Sequence, residues 1–358
     1  MEGKEPKKLK RWFFRTLLCT LLALAVTAGA VAVVDPYFHY HAPLDGLSYR
    51  LYSERYQNDG ILRHFSYDAI ITGTSMTQNF LCSQFDSLWD ANSVKLTLAG
   101  ARFKETDQQL RRSIAINPDL RYVIRGLDAR MLLDDPDLDA YEGCPEYLYD
   151  NDPLNDVSYL LNKNVLFEDV VGTLAYTVDG SETTSFDDYV SWRDYGYSRG
   201  RDAVLPGTAP KQEGEEAHLT DAQRSLLRAN MEQNVIETVR KNPDITFYYF
   251  IPPYSICYWQ DQWAENRVFL HVEAQQAAIE AMLPYDNLQI FSFDDVFSLT
   301  TDLDMYINSL HYVGEINDWI MQCIHDGEHR ITQDNYLRYI EEIRTFYANY
   351  DYDSLYTS

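Results

Sequence analysis

Basic side chains are scarce in this chain once its first 15 residues are passed. Those residues hold six basic and two acidic side chains, which leaves 24 basic against 53 acidic ones, a formal charge of −29. So acidic a surface repels phosphate backbones and anionic lipid headgroups, and nucleic-acid binding is excluded. Cysteine is scarce as well. Cys19 falls in an apolar run, while Cys82, Cys144, Cys257 and Cys323 lie far apart without CxxC spacing. No metal site and no cofactor are implied, and in a domain large enough to bury its own core, free thiols fit as well as bridges. Internal repeats are lacking too: the phrase NPD at Asn117 and at Asn242 reads as one kind of helix-to-strand turn used twice.

What the chain does have is a single long apolar run. Lys4, Lys7, Lys8, Lys10, Arg11 and Arg15 precede 19 uncharged residues, Thr16 to Val34, and Asp35 follows them. At 1.5 Å per residue the run spans roughly 28 Å, close to the roughly 30 Å hydrocarbon core of a bilayer. The positive-inside rule then places residues 1–15 in the cytoplasm, 16–34 in the cell membrane as a single pass, and everything beyond outside. Ala28, Gly29 and Ala30 would also suit a cleaved secretory signal, and either reading exports the rest. Residues 35–65 read as a juxtamembrane segment, in which His39 and His41 stand among Tyr37, Phe38 and Tyr40 and suit interfacial packing better than metal binding.

From about residue 66 to 358, short β-rich runs alternate with amphipathic stretches. That rhythm predicts an α/β domain with a doubly wound, mostly parallel sheet. The expected strands are 68–72, 94–98, 122–126, 245–251 and 288–293, with helices over 103–116, 221–241 and 262–282 between them. Residues 131–214 break the rhythm with DDPDLD, DNDPLND and PGTAPKQEGEE and read as an inserted cap. Their aspartates fit no twelve-residue calcium loop and suit a solvated acidic face.

Ligands of an open parallel sheet bind beyond the carboxyl ends of its strands. Gly73-Thr74-Ser75 follows the first strand, Gly100 the second, and His311-Tyr312 the last. A glycine there permits a sharp turn, and a serine opening the next helix has free amide N–H groups beside it. Ser75 is therefore the candidate nucleophile, His311 its candidate base, and the Gly100 amide a candidate oxyanion donor. IPPYSICYW after the fourth strand suits an aromatic wall.

The phrases YDAIITGTSMTQNF, KLTLAG and HYVGEINDWI resemble the SGNH/GDSL hydrolase superfamily in its membrane-anchored form of Gram-positive envelopes. More distantly, the chain is similar to proteins of teichoic-acid D-alanylation and polysaccharide O-acetylation. The resemblance implies a flavodoxin-like sheet, Ser75 as nucleophile, His311 as general base, and an oxyanion hole of the Ser75 and Gly100 N–H groups. It implies a serine esterase or O-acyltransferase acting on an envelope polysaccharide or teichoic polymer, with a multi-pass membrane O-acyltransferase as a partner. Two positions depart from the family. Asn308 stands where an aspartate usually orients the histidine, and Arg125-Gly126-Leu127-Asp128 replaces Gly-x-Asn-Asp, leaving Asn79 and Arg102 as substitute donors. Those departures favour an alternative, an impaired domain that binds polymer or scaffolds the acyltransferase.

Overall fold

A computed structural model describes residues 5–140, 144–205 and 211–356. Parts of the expected cytoplasmic segment and of the expected insertion, residues 1–4, 141–143 and 206–210, lie outside them. The chain divides into two compact units: Met1–Phe65 with Gly143–Ser185, and Ser66–Glu142 with Phe186–Ser358. The stretch 131–214 is thus not one inserted body, since its middle half, Gly143–Ser185, groups with the N-terminal segment.

The first unit contains one continuous helix, Glu5–Val34, which begins within the basic flank. Its part from Lys7 to Val34 is long and apolar enough to cross a membrane. Leu17, Leu18, Leu21, Leu22 and Leu24 are all exposed, and an apolar surface on every side has no stable solvent but lipid or protein. Asp35 ends the helix. Its backbone takes φ +47°, and its carboxylate accepts the N–H groups of His39 (3.0 Å), Tyr40 (2.7 Å) and His41 (3.0 Å). The Tyr159 hydroxyl donates to the same carboxylate at 2.9 Å, and His39 Nε2 lies 3.1 Å from Asp156. The two histidines therefore belong to a packed turn over a small core of Val31, Val34, Tyr37, Leu148, Tyr159, Val165 and Val170.

The second unit is built on a six-stranded, mostly parallel sheet. Its strands are β1 (Ala69–Gly73), β2 (Ser93–Thr97), β3 (Tyr122–Gly126), β4 (Thr246–Ile251), β5 (Leu288–Ser292) and β6 (Arg330–Ile331), in the order β2-β1-β3-β4-β5-β6. Parallel strands are covered on both faces, which is why AIITG and TFYYFI read as unbroken apolar or β-branched runs. The first five strands pair in parallel and β6 joins antiparallel. Chain order reverses at β1, with β2 on one side and β3 on the other, so a crevice opens beyond the carboxyl ends of β1 and β3.

Two details differ from expectation. The stretch expected as one helix over 262–282 is two helices, Ile256–Ala264 and Val268–Met282, broken where Asn266 takes φ +54°. No glycine or proline marks that break, and the apolar pattern runs through it. The two-residue β6 is too short for any pattern to announce. Cys19, Cys82, Cys257 and Cys323 are free thiols, and the last three are buried.

Candidate active site

The turn after β1 is steep. Gly73 takes φ +136°, and a Cβ built there would stand 2.9 Å from the Thr77 side chain, so glycine is required twice over. The chain then passes into a short 3-10 turn, Ser75–Thr77, capped by Thr74, whose Oγ1 accepts from the Met76 N–H. That turn leaves Ser75 half-buried at the mouth of the crevice.

His311 reaches the same point from 236 residues away, and Ser75 Oγ lies 2.7 Å from its Nε2. Several bonds fix the approach. Ile307 N–H donates to His311 O at 2.9 Å and Val313 N–H to Met305 O at 2.9 Å, which makes a narrow hairpin of 305–313. The Tyr312 hydroxyl and Asn317 Nδ2 both donate to Met76 O, at 3.3 and 2.9 Å, and clamp this hairpin to the Ser75 turn. Buried polar groups of this kind hold only one arrangement well, because any other leaves them unpaired.

Asn308 completes the chain. Its Oδ1 accepts the N–H groups of Leu310 and His311, each at 2.9 Å, and lies 3.1 Å from His311 Nδ1. Three donors on one oxygen leave the amide a single orientation. An oxygen only accepts, so the Nδ1 proton points at Asn308 and Nε2 carries the lone pair that faces the Ser75 hydroxyl. This is the arrangement that a proton transfer from serine needs.

Asp128, at the end of β3, does not stand bare beside the serine. Fully buried, its carboxylate accepts the Tyr254 hydroxyl and the Thr74 hydroxyl, each at 2.6 Å, with Arg130 Nε at 3.9 Å. Its place is to brace the residue before Ser75, and Tyr254 of IPPYSICYW is there to meet it. Gly100 follows β2, the strand registered beside β1 with Gly73 opposite Thr97, and takes the left-handed φ +68°. The N–H groups of Ser75 and Gly100 are thus carried by the ends of neighbouring strands. Of the substitute donors, Arg102 pairs with Asp134 at 3.2 Å. Asn79 is fully buried, with its Oδ1 accepting the Trp192 N–H at 3.0 Å.

Burial lowers the His311 pKa below the ordinary histidine value, Asp128 opposes that shift, and Arg130 adds to it. The neutral imidazole is the base. If it removes the Ser75 proton, the acid limb of kcat/KM falls below the ordinary histidine pKa of about 6.5, and activity is level through neutral pH. Asp128→Asn removes the opposing charge and is expected to move that limb further towards acid. A limb above 6.5 in the parent protein would contradict the assignment.

The position of Trp192 could not be foreseen from sequence. Its ring meets the His311 ring edge-on, with centroids 5.8 Å apart, although it lies within the stretch expected as a cap. Among the described residues, no group of three or more histidine, cysteine or acidic side chains is placed to hold a metal ion.

No protein-family model matches the chain, and no curated protein matches it. A solved structure from Streptococcus pneumonia, provisionally described as a platelet activating factor, is similar over 76% of this chain and 90% of that one. The two share 10% identity with a TM-score of 0.40, a likeness too distant to carry an argument about this chain. The site is read from its own geometry.

Proposed function

We propose that this protein is a membrane-anchored serine esterase or O-acyltransferase of SGNH type, working outside the cytoplasm on ester groups of an exported glycan or teichoic polymer. One observation carries the reading: Ser75 Oγ at 2.7 Å from His311 Nε2, with Asn308 Oδ1 at 3.1 Å from Nδ1. Ser75 Oγ attacks the ester carbonyl while His311 Nε2 takes its proton. The tetrahedral intermediate's oxygen is held by the Ser75 and Gly100 N–H groups, and its collapse passes the proton to the leaving alcohol. Water, or a polymer hydroxyl in the case of transfer, then attacks the acyl-serine with its proton taken by His311, and the serine is restored.

Asn308 is the feature that favours the second reading, an impaired domain that binds polymer or scaffolds a multi-pass O-acyltransferase. A neutral amide orients the imidazole but stabilises imidazolium less than a carboxylate does. Asn308→Asp is therefore expected to preserve or raise turnover of a small aryl acetate at pH 8. The new charge also raises the His311 pKa, so the acid limb moves to higher pH. A large loss of turnover at pH 8 would mean that Asn308 serves His311 in another way.

The functional test is ester turnover by the full chain in detergent, on an aryl acetate and on an acetylated polysaccharide. Turnover of neither would leave the second reading. For the anchor, the basic flank before the helix leads to an expectation that a reporter fused after Ser358 is active only outside the cytoplasm. Cytoplasmic activity of that fusion would overturn the orientation.

A further inference from the structure

Beside the Ser75–His311 pair stands an aromatic platform that acyl transfer itself does not use. Trp192, edge-on to His311, meets Tyr197 at 6.2 Å, and Tyr197 meets Tyr195 at 6.0 Å. Tyr195 and Tyr197 are 67% and 55% exposed, whereas Tyr249, Tyr254, Tyr306, Tyr312 and Tyr347 of the same unit are fully buried. Between Trp192, Tyr197, Arg199, Ile307 and Glu315 lies a cavity of about 190 Å³. That is below the ~300 Å³ at which sites for drug-sized ligands begin, and it suits a single ring.

The segment that presents these rings is held on three sides. Buried Lys95 donates to the carbonyls of Asp187 (3.1 Å) and Tyr189 (3.3 Å) from beneath. Asn79 Oδ1 accepts the Trp192 N–H, and Arg193 donates to Asn79 O and Gly314 O, each at 2.8 Å, while pairing with Asp318. These bonds fix the chain from Asp187 to Arg193, so the Trp192 end of the platform loses little freedom when a partner stacks there and more of the contact energy remains as affinity.

Charge decides what would stack there. The guanidinium of Arg199 is matched by Glu315 at 3.8 Å and that of Arg193 by Asp318, so the cavity offers hydrogen-bonding groups without surplus positive charge. The chain as a whole carries −25. A phosphate-rich polymer would meet repulsion and no unmatched cation, whereas the C–H face of an uncharged sugar ring fits flat against tyrosine with its hydroxyls free to bond at the rim.

We infer that the Trp192–Tyr195–Tyr197 platform is a subsite for an uncharged pyranose ring, holding a glycan with its ester next to Ser75. This rests on the ester-transfer reading and narrows its substrate from glycan or teichoic polymer to glycan. The test uses the full chain in detergent carrying Ser75→Ala, so that binding is measured without turnover. Uncharged tetrasaccharides of glucose, N-acetylglucosamine and xylose, and poly(glycerol phosphate) as the phosphate polymer, are titrated by calorimetry. At least one sugar is expected to bind, with affinity at least tenfold weaker when Tyr197→Ala is added and largely restored by Tyr197→Phe. Binding by none of the sugars, an unchanged affinity in Tyr197→Ala, or tighter binding of poly(glycerol phosphate) would each overturn the subsite. The two readings separate cleanly. Sugar binding that needs Tyr197, in a chain whose parent turns over no ester, overturns the enzyme and keeps the subsite. Ester turnover without sugar binding overturns the subsite alone.

Discussion

Ser75→Ala and His311→Ala are each expected to lower kcat on a small aryl ester by a factor of roughly 10³ to 10⁶, and the double variant to lose little more. The reason is the 2.7 Å contact between Ser75 Oγ and His311 Nε2. One proton moves along that contact, so removing either end removes the same step. Independent contributions would instead multiply. Neither side chain carries the packing of the unit, because both are half-buried at the mouth of the crevice and the clamp from Tyr312 and Asn317 ends on the Met76 carbonyl. Thermal midpoints of all three variants should therefore stay near that of the parent. Calorimetry beside the rate measurement separates a lost reaction from a lost fold.

The second large effect concerns stability. Arg125 sits inside β3 with its side chain fully buried, and it donates to Asn234 O (2.9 Å), Phe103 O (3.0 Å) and Thr106 Oγ1 (2.8 Å). Its guanidinium also lies 3.4 Å from the buried Asp107, which accepts from Thr238 and Arg111 as well. Removing one member of such a group leaves a buried charge and two carbonyls short of partners, a loss of about 3–5 kcal/mol. Arg125→Ala should thus lower stability by that amount in denaturant titration, a large share of the ~5–15 kcal/mol that holds a typical domain. Arg125→Met, which refills the volume, still takes one of two guanidinium partners from Asp107 and leaves the Asn234 and Phe103 carbonyls without their donor, so it should recover only part of the loss. A loss below about 1 kcal/mol in Arg125→Ala would show that water replaces the guanidinium freely.

Arg125 illustrates what sequence patterns convey and what they omit. The strand containing it was legible over its whole length, because YVIRG is a short β-rich run ended by a glycine. The burial of an arginine within it was not, since that depends on carbonyls contributed from Phe103 and Asn234, far along the chain. Ser75, His311 and Asn308 were legible for a related reason: each follows a strand or stands at fixed spacing from a residue that does, and a parallel sheet brings strand ends together. In the sequence, Asp128 is part of the phrase that replaces the family's Gly-x-Asn-Asp. Its hydroxyl partners Thr74 and Tyr254 sit at the ends of two other strands, and no periodicity records which side chain turns towards which. Trp192 and Arg193 were hidden for want of any regular element around them. Their place is set by bonds to Asn79, Gly314 and Asp318, which no local pattern encodes.

The central claim is that Ser75 is an activated nucleophile, and labelling by a fluorophosphonate tests it most directly. The full chain in detergent is treated with the probe at pH 7.5 and digested, and the modified residue is located by mass spectrometry. Phosphonylation requires the hydroxyl proton to leave as the bond to phosphorus forms, so it reports the Ser75–His311 pair without knowledge of the natural ester. The expected result is one adduct, on Ser75, nearly abolished in His311→Ala. Absence of label on Ser75 in the folded protein, or labelling that His311→Ala leaves unchanged, would contradict it.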